Sequence, residues 1–137
     1  MKKNILLLLL SIFNYCSQAQ VKDYNVAFDI SSGDSISQQN VVRQVEIIKN
    51  ANPDAKVEVV IYAQALSMAL KDKSAHAATL QKLLAMKDVS FKVCAITMKR
   101  NNVDASQLLP GITLVPDGIY ELITKQREGW GYIKVAH

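Results

Sequence analysis

The pattern of hydrophobic and polar positions divides the chain after residue 23 into alternating strand-like and helix-like segments. The strand-like segments are rich in β-branched and aromatic residues and are bounded by turn residues. There are five of them: Tyr24–Ile30, Lys56–Tyr62, Val89–Ala95, Ile112–Val115 and Trp130–Val135. The second begins with alternating polar and apolar residues and ends fully apolar, which is typical of a strand covered on both faces.

Apolar residues recur at helical spacing between these strands. The first two helical segments are Ile36–Asn50 and the short apolar piece Ala65–Leu70. A third helix, which Ser74 would cap, has a buried stripe of Ala77, Leu80, Leu83 and Leu84. Thr97–Val103 is a short helix or turn, and a last helix begins at Pro116-Asp117-Gly118 and ends near Gly129. Short strands separated by helices favour parallel pairing. We therefore expect one α/β domain, a three-layer α/β/α sandwich with a mostly parallel five-stranded sheet.

The first 19 residues have the three-part pattern of a secretory signal peptide. Lys2 and Lys3 form a basic start, Ile5–Phe13 is almost unbroken apolar, and Ser17-Gln18-Ala19 supplies the small residues that signal peptidase reads. The apolar run is short for a membrane span, so we expect cleavage after Ala19 rather than anchoring. Residues 1–19 are thus the predicted signal peptide and residues 20–137 the mature domain. The predicted location is periplasmic or secreted, with no membrane association after cleavage.

Cys16 supports an alternative interpretation of this segment, a lipoprotein acylated at that residue. A lipobox has small residues directly before its cysteine, whereas Phe13, Asn14 and Tyr15 precede Cys16. Cleavage after Ala19 is therefore favoured, and both interpretations predict export.

Composition narrows the classes of function. The 137-residue chain has a formal net charge of +4, and Lys2 and Lys3 leave with the predicted signal peptide. The remaining sequence has no cluster of Lys and Arg interleaved with aromatic residues, so it gives no support for a nucleic-acid partner. Neither paired carboxylates nor a Ser/His/Asp set suggests hydrolysis, and we expect no metal and no cofactor.

Cys94 is the single cysteine of the predicted mature chain, and its position suggests chemistry. It lies at the end of a strand, the edge at which open α/β sheets bind ligands, and a helix N-terminus follows it, with Lys99 and Arg100 beyond. A helix N-terminus and nearby cations favour a thiolate over a thiol. Cys94 is therefore the candidate catalytic residue, with Lys99 and Arg100 as candidate electrostatic support.

Other interpretations of these residues stay open. A free cysteine is commonly a small buried hydrophobic residue, in which case Cys94 belongs only to the core. Lys99 and Arg100 are then an exposed basic end of a turn. A further class of function is a small-ligand or nucleotide binder. Ser31–Ser35 suggests it, because this loop follows the first strand, where a phosphate loop would lie. The loop lacks the GxGxxG and Walker patterns.

Several stretches together resemble the DsrE/DsrF-like family, small α/β domains linked to sulfur handling. The similar stretches are Val57–Tyr62 with Ala65–Asp72, Phe91–Cys94 with Lys99-Arg100, Leu108–Ile112, Val115–Gly118, and Glu121-Leu122 through Glu128–Ile133. Their order and spacing extend from about Tyr24 to Val135. The chain departs from the family at Ala63 and Ala65, where members often have glycines, and in its predicted signal peptide.

The resemblance implies that Cys94 matches the cysteine on which sulfur-carrying members form a persulfide. It therefore implies a sulfur carrier or thiol-exchange protein, a sulfurtransferase-like relay rather than a turnover enzyme. Its partners would be a protein or small-molecule sulfane-sulfur donor and acceptor. Because relatives commonly form trimers or larger rings, we also expect a homo-oligomer, with a trimer favoured. The alternative is a non-catalytic oligomeric binding module in which Cys94 is structural.

Overall fold

Five strands lie side by side in one sheet, and every pairing is parallel. The strands are β1 (Asn25–Ile30), β2 (Lys56–Ile61), β3 (Val89–Cys94), β4 (Thr113–Val115) and β5 (Gly131–Lys134). Their order across the sheet is β4-β3-β2-β1-β5. The computed structural model describes residues 24–135, so the predicted signal peptide, its cleavage site and Cys16 lie outside the described residues.

Helices connect the strands on both sides of the sheet. The α-helices in the described chain are α1 (Ser35–Ala51), α2 (Ala77–Leu84), α3 (Ala95–Arg100) and α4 (Gly118–Arg127), and two 3₁₀ segments cover Ala63–Ala69 and Ala105–Gln107. Between residues 24 and 135, no helix combines the length and the apolar character needed to cross a bilayer.

The first face of the sheet carries the main hydrophobic core. Phe28, Val59 and Phe91 of the three central strands pack there with Val45 of α1 and Leu80 of α2, and all five are almost completely buried. Because alternate residues of a strand point to opposite faces, the apolar positions of β1, β2 and β3 form one continuous surface. Burial of that surface holds α1 and α2 on the sheet.

The second face is more polar and is covered by α4. Its apolar part is small, with Ala27, Val60 and Leu122 at its centre. Asp29 and Glu58 are buried on the same face, at 4% and 2% exposure. Buried carboxylates require partners, so polar contacts contribute to the attachment of α4.

The structure confirms the predicted fold class, and local details differ from the expectations. The apolar piece after β2 is a 3₁₀ segment beginning at Ala63. The prediction that Ser74 caps α2 was wrong, because α2 begins at Ala77 and its N-cap is His76. Ser74 Oγ instead accepts the His76 N–H at 3.3 Å, in the turn before the helix. α3 begins at Ala95, directly after β3, which makes the last strand residue its N-cap.

Candidate functional site

Cys94 is both the last residue of β3 and the N-cap residue of α3. The chain passes from strand to helix without a loop, so the thiol is fixed at the carboxyl edge of the sheet. The side chain is a free cysteine and is 5% exposed. The candidate nucleophile is therefore a recessed thiol at the edge where open α/β sheets bind ligands.

Gly118, the first residue of α4, lies against Cys94. A Cβ atom at this glycine would stand 3.3 Å from the Cys94 Cβ and 3.2 Å from Val60 Cγ1. Because Gly118 has no side chain, the N-terminus of α4 can approach the thiol closely. The N-termini of α3 and α4 thus converge on one sulfur atom, although the two segments are far apart in sequence.

The surrounding N–H groups favour the ionised form of Cys94. Burial raises the pKa of the thiol, but the N–H groups of Gly118, Thr97 and Ile96 and the Thr97 hydroxyl act against burial and lower the pKa below its ordinary value. Cys94 makes no close capping hydrogen bond within α3. The stabilisation therefore comes from several weak contacts to sulfur, the type of setting that activates cysteine nucleophiles.

Thr97 connects the thiol to the corner after β2. Its Oγ1 accepts the N–H of Ala63 at 3.1 Å. A hydroxyl that accepts one hydrogen bond still has its proton to donate, and the Thr97 hydroxyl contributes to the lowered pKa of Cys94. Ala63 has a φ of +52°, in the left-handed region that glycine adopts without strain. The backbone at Ala63 thus helps to orient the Thr97 hydroxyl.

Lys99 and Arg100, the predicted electrostatic support, lie in the last turn of α3 and are exposed. They are at the opposite end of the helix from Cys94, about 8 Å along the axis at 1.5 Å per residue. The largest effects on the Cys94 pKa come from burial and hydrogen bonds and do not include these cations. At this end they complement the helix dipole, and their support of the thiolate stays a prediction.

Four charged residues beneath the thiol attach α4 to the second face. Lys92 Nζ lies 2.9 Å from Glu58 Oε2 and 2.8 Å from Glu121 Oε1. Lys125 Nζ lies farther from the same two carboxyl groups, at 4.0 and 3.9 Å. We call Glu58, Lys92, Glu121 and Lys125 the charged cluster. It joins β2 and β3 to the helix whose first residue contacts Cys94.

The two carboxyl groups of the charged cluster differ in pKa. Burial raises the pKa of Glu58, a hydrogen bond with Glu121 raises it further, and Lys92 only partly opposes these effects. Burial also raises the pKa of Glu121, but hydrogen bonds from Lys92 and Glu58 outweigh burial and lower it. Glu58 Oε1 is buried with no hydrogen-bond partner in the described chain. Of the two carboxyl groups, Glu58 therefore has the raised pKa and Glu121 the lowered one.

In the loop Ser31–Ser35, the alternative candidate for a small-ligand or nucleotide site, Asp34 serves as a helix cap. The side chain of Asp34 caps α1, accepting the Ser37 N–H at 2.8 Å and the Ser37 hydroxyl at 2.9 Å. A carboxylate therefore already occupies the N-terminus of α1, which argues against a phosphate at that helix end.

The chemistry available to this site is that of a single thiol whose pKa is lowered. Between residues 24 and 135, no group of three or more His, Cys, Asp or Glu side chains is placed to hold a metal ion. A thiol that is already ionised can attack without a general base. The arrangement around Cys94 is thus suited to nucleophilic attack by sulfur.

Sequence reasoning identified Cys94 but missed the contributions of Gly118 and the Thr97 hydroxyl. Gly118 was visible only as part of a helix start, Pro116-Asp117-Gly118. No periodicity indicates that this glycine contacts a residue 24 positions earlier. Thr97 was assigned to a helix or turn, and its side-chain role depends on the distant Ala63 N–H.

Comparison with known proteins finds a family model and solved structures that are similar to this chain. A family model described as the DsrE/DsrF-like family matches residues 25–135. The structure is similar to a protein of unknown function, MTH1491, from Methanobacterium thermoautotrophicum, with a TM-score of 0.77 and 27% identity over 82% of this chain and 99% of that one. None of the curated proteins matches the chain at a significant level.

Two further solved structures share the fold. The ychN protein from E. coli has a TM-score of 0.68 and 14% identity, over 82% of this chain and 98% of that one. BT1422, a conserved protein of unknown function from Bacteroides thetaiotaomicron, has the same score and identity, over 87% of this chain and 100% of that one. At this identity the likeness concerns the fold alone.

Proposed function

Since the chain belongs to the DsrE/DsrF-like family, we propose that it is a sulfur carrier or thiol-exchange protein that forms a persulfide on Cys94. The observation that carries the proposal is the convergence of two helix N-termini on this thiol. The lowered pKa of Cys94 supports it, because the thiolate is the reactive form.

In the proposed reaction, the Cys94 thiolate attacks the outer sulfur of a sulfane donor. A bond forms between Sγ and that sulfur, and the donor's S–S bond breaks, with its electron pair leaving on the remaining donor fragment. The product is Cys94–S–SH, and a second thiol takes the sulfur in the reverse type of exchange. The N–H groups around Sγ stabilise the anion that is consumed in loading and regenerated in release.

Alkylation of the native chain tests whether the thiol is available. The proposal predicts that a small thiol reagent modifies folded Cys94 faster, at a pH below neutrality, than it modifies free cysteine. Unfolded protein provides the matched control, because unfolding removes the stabilising N–H groups. Inertness of Cys94 in the folded chain, with normal reaction after unfolding, would contradict the proposal.

The burial of Cys94 is the observation that favours the alternative, a non-catalytic oligomeric binding module with a structural cysteine. At 5% exposure the side chain resembles a core residue. In that case Cys94→Ala would lower stability without removing a reaction. The alkylation experiment separates the alternatives, since a structural cysteine reacts only after unfolding.

We propose that the protein is a homo-oligomer, with a trimer favoured. Large apolar side chains are exposed on α3, β4 and α4 around the thiol: Ile96, Leu114, Ile119, Tyr120 and Ile123. Exposed apolar surface of this kind is typical of an interface. Light scattering of the wild type and of Ile123→Glu tests this, with dissociation expected in the variant. A monomer mass for the wild type would contradict the proposal.

We also propose export, with cleavage after Ala19. The basic start, the apolar run and Ser17-Gln18-Ala19 support it. Mass spectrometry of protein recovered from the exported fraction should show Gln20 as the first residue. An acylated Cys16 or an intact Met1 would contradict it.

A further inference from the structure

A second polar group lies on the same face of the sheet, at the carboxyl ends of β1 and β5. Lys134 Nζ is 3.0 Å from Asp29 Oδ1, 3.0 Å from the Tyr62 hydroxyl and 3.3 Å from Ser31 Oγ. The Tyr132 hydroxyl donates to Asp29 Oδ2 at 2.6 Å. We call Ser31, Tyr62 and Lys134 the switch-point cluster.

Buried Asp29 fixes the position of the lysine in this cluster. The Asp29 side chain is 5% exposed, whereas the Lys134 side chain is 48% exposed. The ammonium group is thus held from below by a carboxylate and remains open to solvent from above. The Tyr62 ring adds to this arrangement, with Lys134 Nζ 5.4 Å from its centroid.

The two hydroxyl groups of the cluster have protons available for a ligand. Both Ser31 and Tyr62 accept a hydrogen bond from Lys134, so each hydroxyl proton must point elsewhere. Within residues 24–135, neither hydroxyl donates to an acceptor. Two unused O–H donors beside an ammonium group form a site suited to an oxyanion such as a carboxylate.

The position of the cluster in the sheet is also one at which ligands bind. β1 lies between β2 and β5, so the chain leaves β1 toward one side and returns as β5 on the other. This is a topological switch point, and open α/β sheets bind ligands in the crevice at the carboxyl ends of such strands. The cluster lies at that crevice.

The switch-point cluster lies beside the thiol on the same face. Pairing of Ile30 with Ile61 and of Ile61 with Val93 places Ser31, Tyr62 and Cys94 next to one another on three adjacent strands. A Cβ at Gly118 would be 3.6 Å from Tyr62 Cβ and 3.3 Å from Cys94 Cβ, so these two side chains share one face. Two strand spacings separate Ser31 from Cys94, about 10 Å.

We propose that the switch-point cluster binds a carboxylate of a small acidic persulfide, R–S–SH, which is the sulfur donor to Cys94. This inference rests on the proposed function and names its substrate class. Tyr62 is one strand spacing, about 5 Å, from Cys94. A tripeptide-sized thiol is about 10 Å long when extended, so its carboxylate can reach the cluster while its sulfur lies at Cys94. The recessed position of Cys94 also favours a small donor over the surface of a folded protein.

The loading step is balanced without any further reagent. The Cys94 thiolate attacks the sulfane sulfur of R–S–SH, an Sγ–S bond forms, and the bond to the sulfur of R breaks. The electron pair leaves with R–S⁻, and the proton stays on the transferred sulfur, which gives Cys94–S–SH. The cluster takes no part in bond making. It holds the donor by its carboxylate.

The test compares glutathione persulfide with its diester, which lacks the carboxylates, as donors to the mature wild-type chain. The rate of mass increase at Cys94 should be about tenfold higher with the acidic donor, the usual effect of a hydrogen bond to a charged group. Tyr62→Phe keeps the ring and the Asp29–Lys134 pair but removes one hydroxyl. It should lower the preference for the acidic donor.

Lys134→Met should lower the preference further, and Lys87→Met, at an exposed lysine before β3, should leave it unchanged. Equal rates with both donors, or a preference that survives in Tyr62→Phe and Lys134→Met, would overturn the inference. If neither donor loads Cys94, the proposed function fails instead. In that case, the affinity for glutathione is measured in Cys94→Ser and in Cys94→Ser/Tyr62→Phe. Weaker binding of glutathione by the double variant supports the carboxylate subsite, and equal binding overturns it.

Discussion

Gly118 and Cys94 lie so close that a Cβ on the glycine would stand 3.3 Å from the Cβ of the cysteine. This contact joins the start of α4 to the end of β3. It brings the N–H of Gly118 to the thiol, and this is the largest effect that lowers the pKa of Cys94, against the opposing effect of burial. We therefore expect the pKa of the thiol to depend on how closely α4 packs on the sheet.

Gly118→Ala tests this dependence. The added methyl group would press on Cys94 and Val60, so these contacts must open by a few tenths of an ångström. We expect this to move the Gly118 N–H away from the sulfur. We expect a higher thiol pKa and a loss of about 1–3 kcal/mol in stability, typical of overpacking. The pH dependence of alkylation and urea denaturation measure the two effects. Arg127→Ala, an exposed position in the last turn of the same helix, is the control, and an unchanged pKa in Gly118→Ala would refute this role.

Thr97 should act through its hydroxyl rather than its size. Thr97→Val removes the hydroxyl that accepts the Ala63 N–H and donates to the thiol, so the thiol pKa should rise. Thr97→Ser keeps the hydroxyl and should retain a pKa close to that of the wild type. The pH profile of Cys94 alkylation distinguishes the variants. Equal profiles for Thr97→Val and Thr97→Ser would show that the hydroxyl does not contribute.

The charged cluster predicts opposite pH dependence for two carboxyl variants. The folded pKa of Glu58 is raised above the ordinary 4.5. Its contribution to stability is therefore fully present below the unfolded pKa and is lost as pH rises through the folded value. Glu121 has a lowered pKa, so its contribution is present above 4.5 and is lost as pH falls through the folded value.

The wild type should lose stability as pH rises from the ordinary range of carboxyl pKa values toward neutrality, because Glu58 then loses its proton. Glu58→Gln is neutral at every pH, so this loss of stability should be absent in the variant. Glu121→Gln should instead destabilise the protein most at neutral pH. Urea midpoints measured from acidic to neutral pH check both. Parallel pH curves for the two variants would contradict the opposite pKa shifts of Glu58 and Glu121.

The sequence predicted most of the fold because its signals are local. β-branched runs marked the five strands, and the apolar stripe of α1 was visible at Val41, Val42 and Val45, all buried in the structure. The helix boundaries were less predictable. Ser74 has the chemistry of a cap, but α2 begins after His76, because sequence preference alone does not fix where a helix starts.

The site was predictable at its centre and not in its surroundings. Cys94 was identifiable because one residue ends a strand and precedes a helix. The hydrogen-bond donors around it are brought there by tertiary packing, in which Gly118 comes from α4 and Ala63 from the corner after β2. The cations that follow Cys94 in sequence, Lys99 and Arg100, lie instead at the far end of α3.

Intact-protein mass spectrometry after treatment with polysulfide tests the sulfur-carrier function most directly. The wild-type mature chain should gain the mass of one sulfur atom on Cys94, and a thiol added afterwards should remove it. Cys94→Ser should fold normally and gain nothing, because the mature chain predicted by cleavage after Ala19 has no other thiol. A folded wild-type chain that gains no sulfur, or equal gains in the wild type and Cys94→Ser, would contradict a carrier function at Cys94.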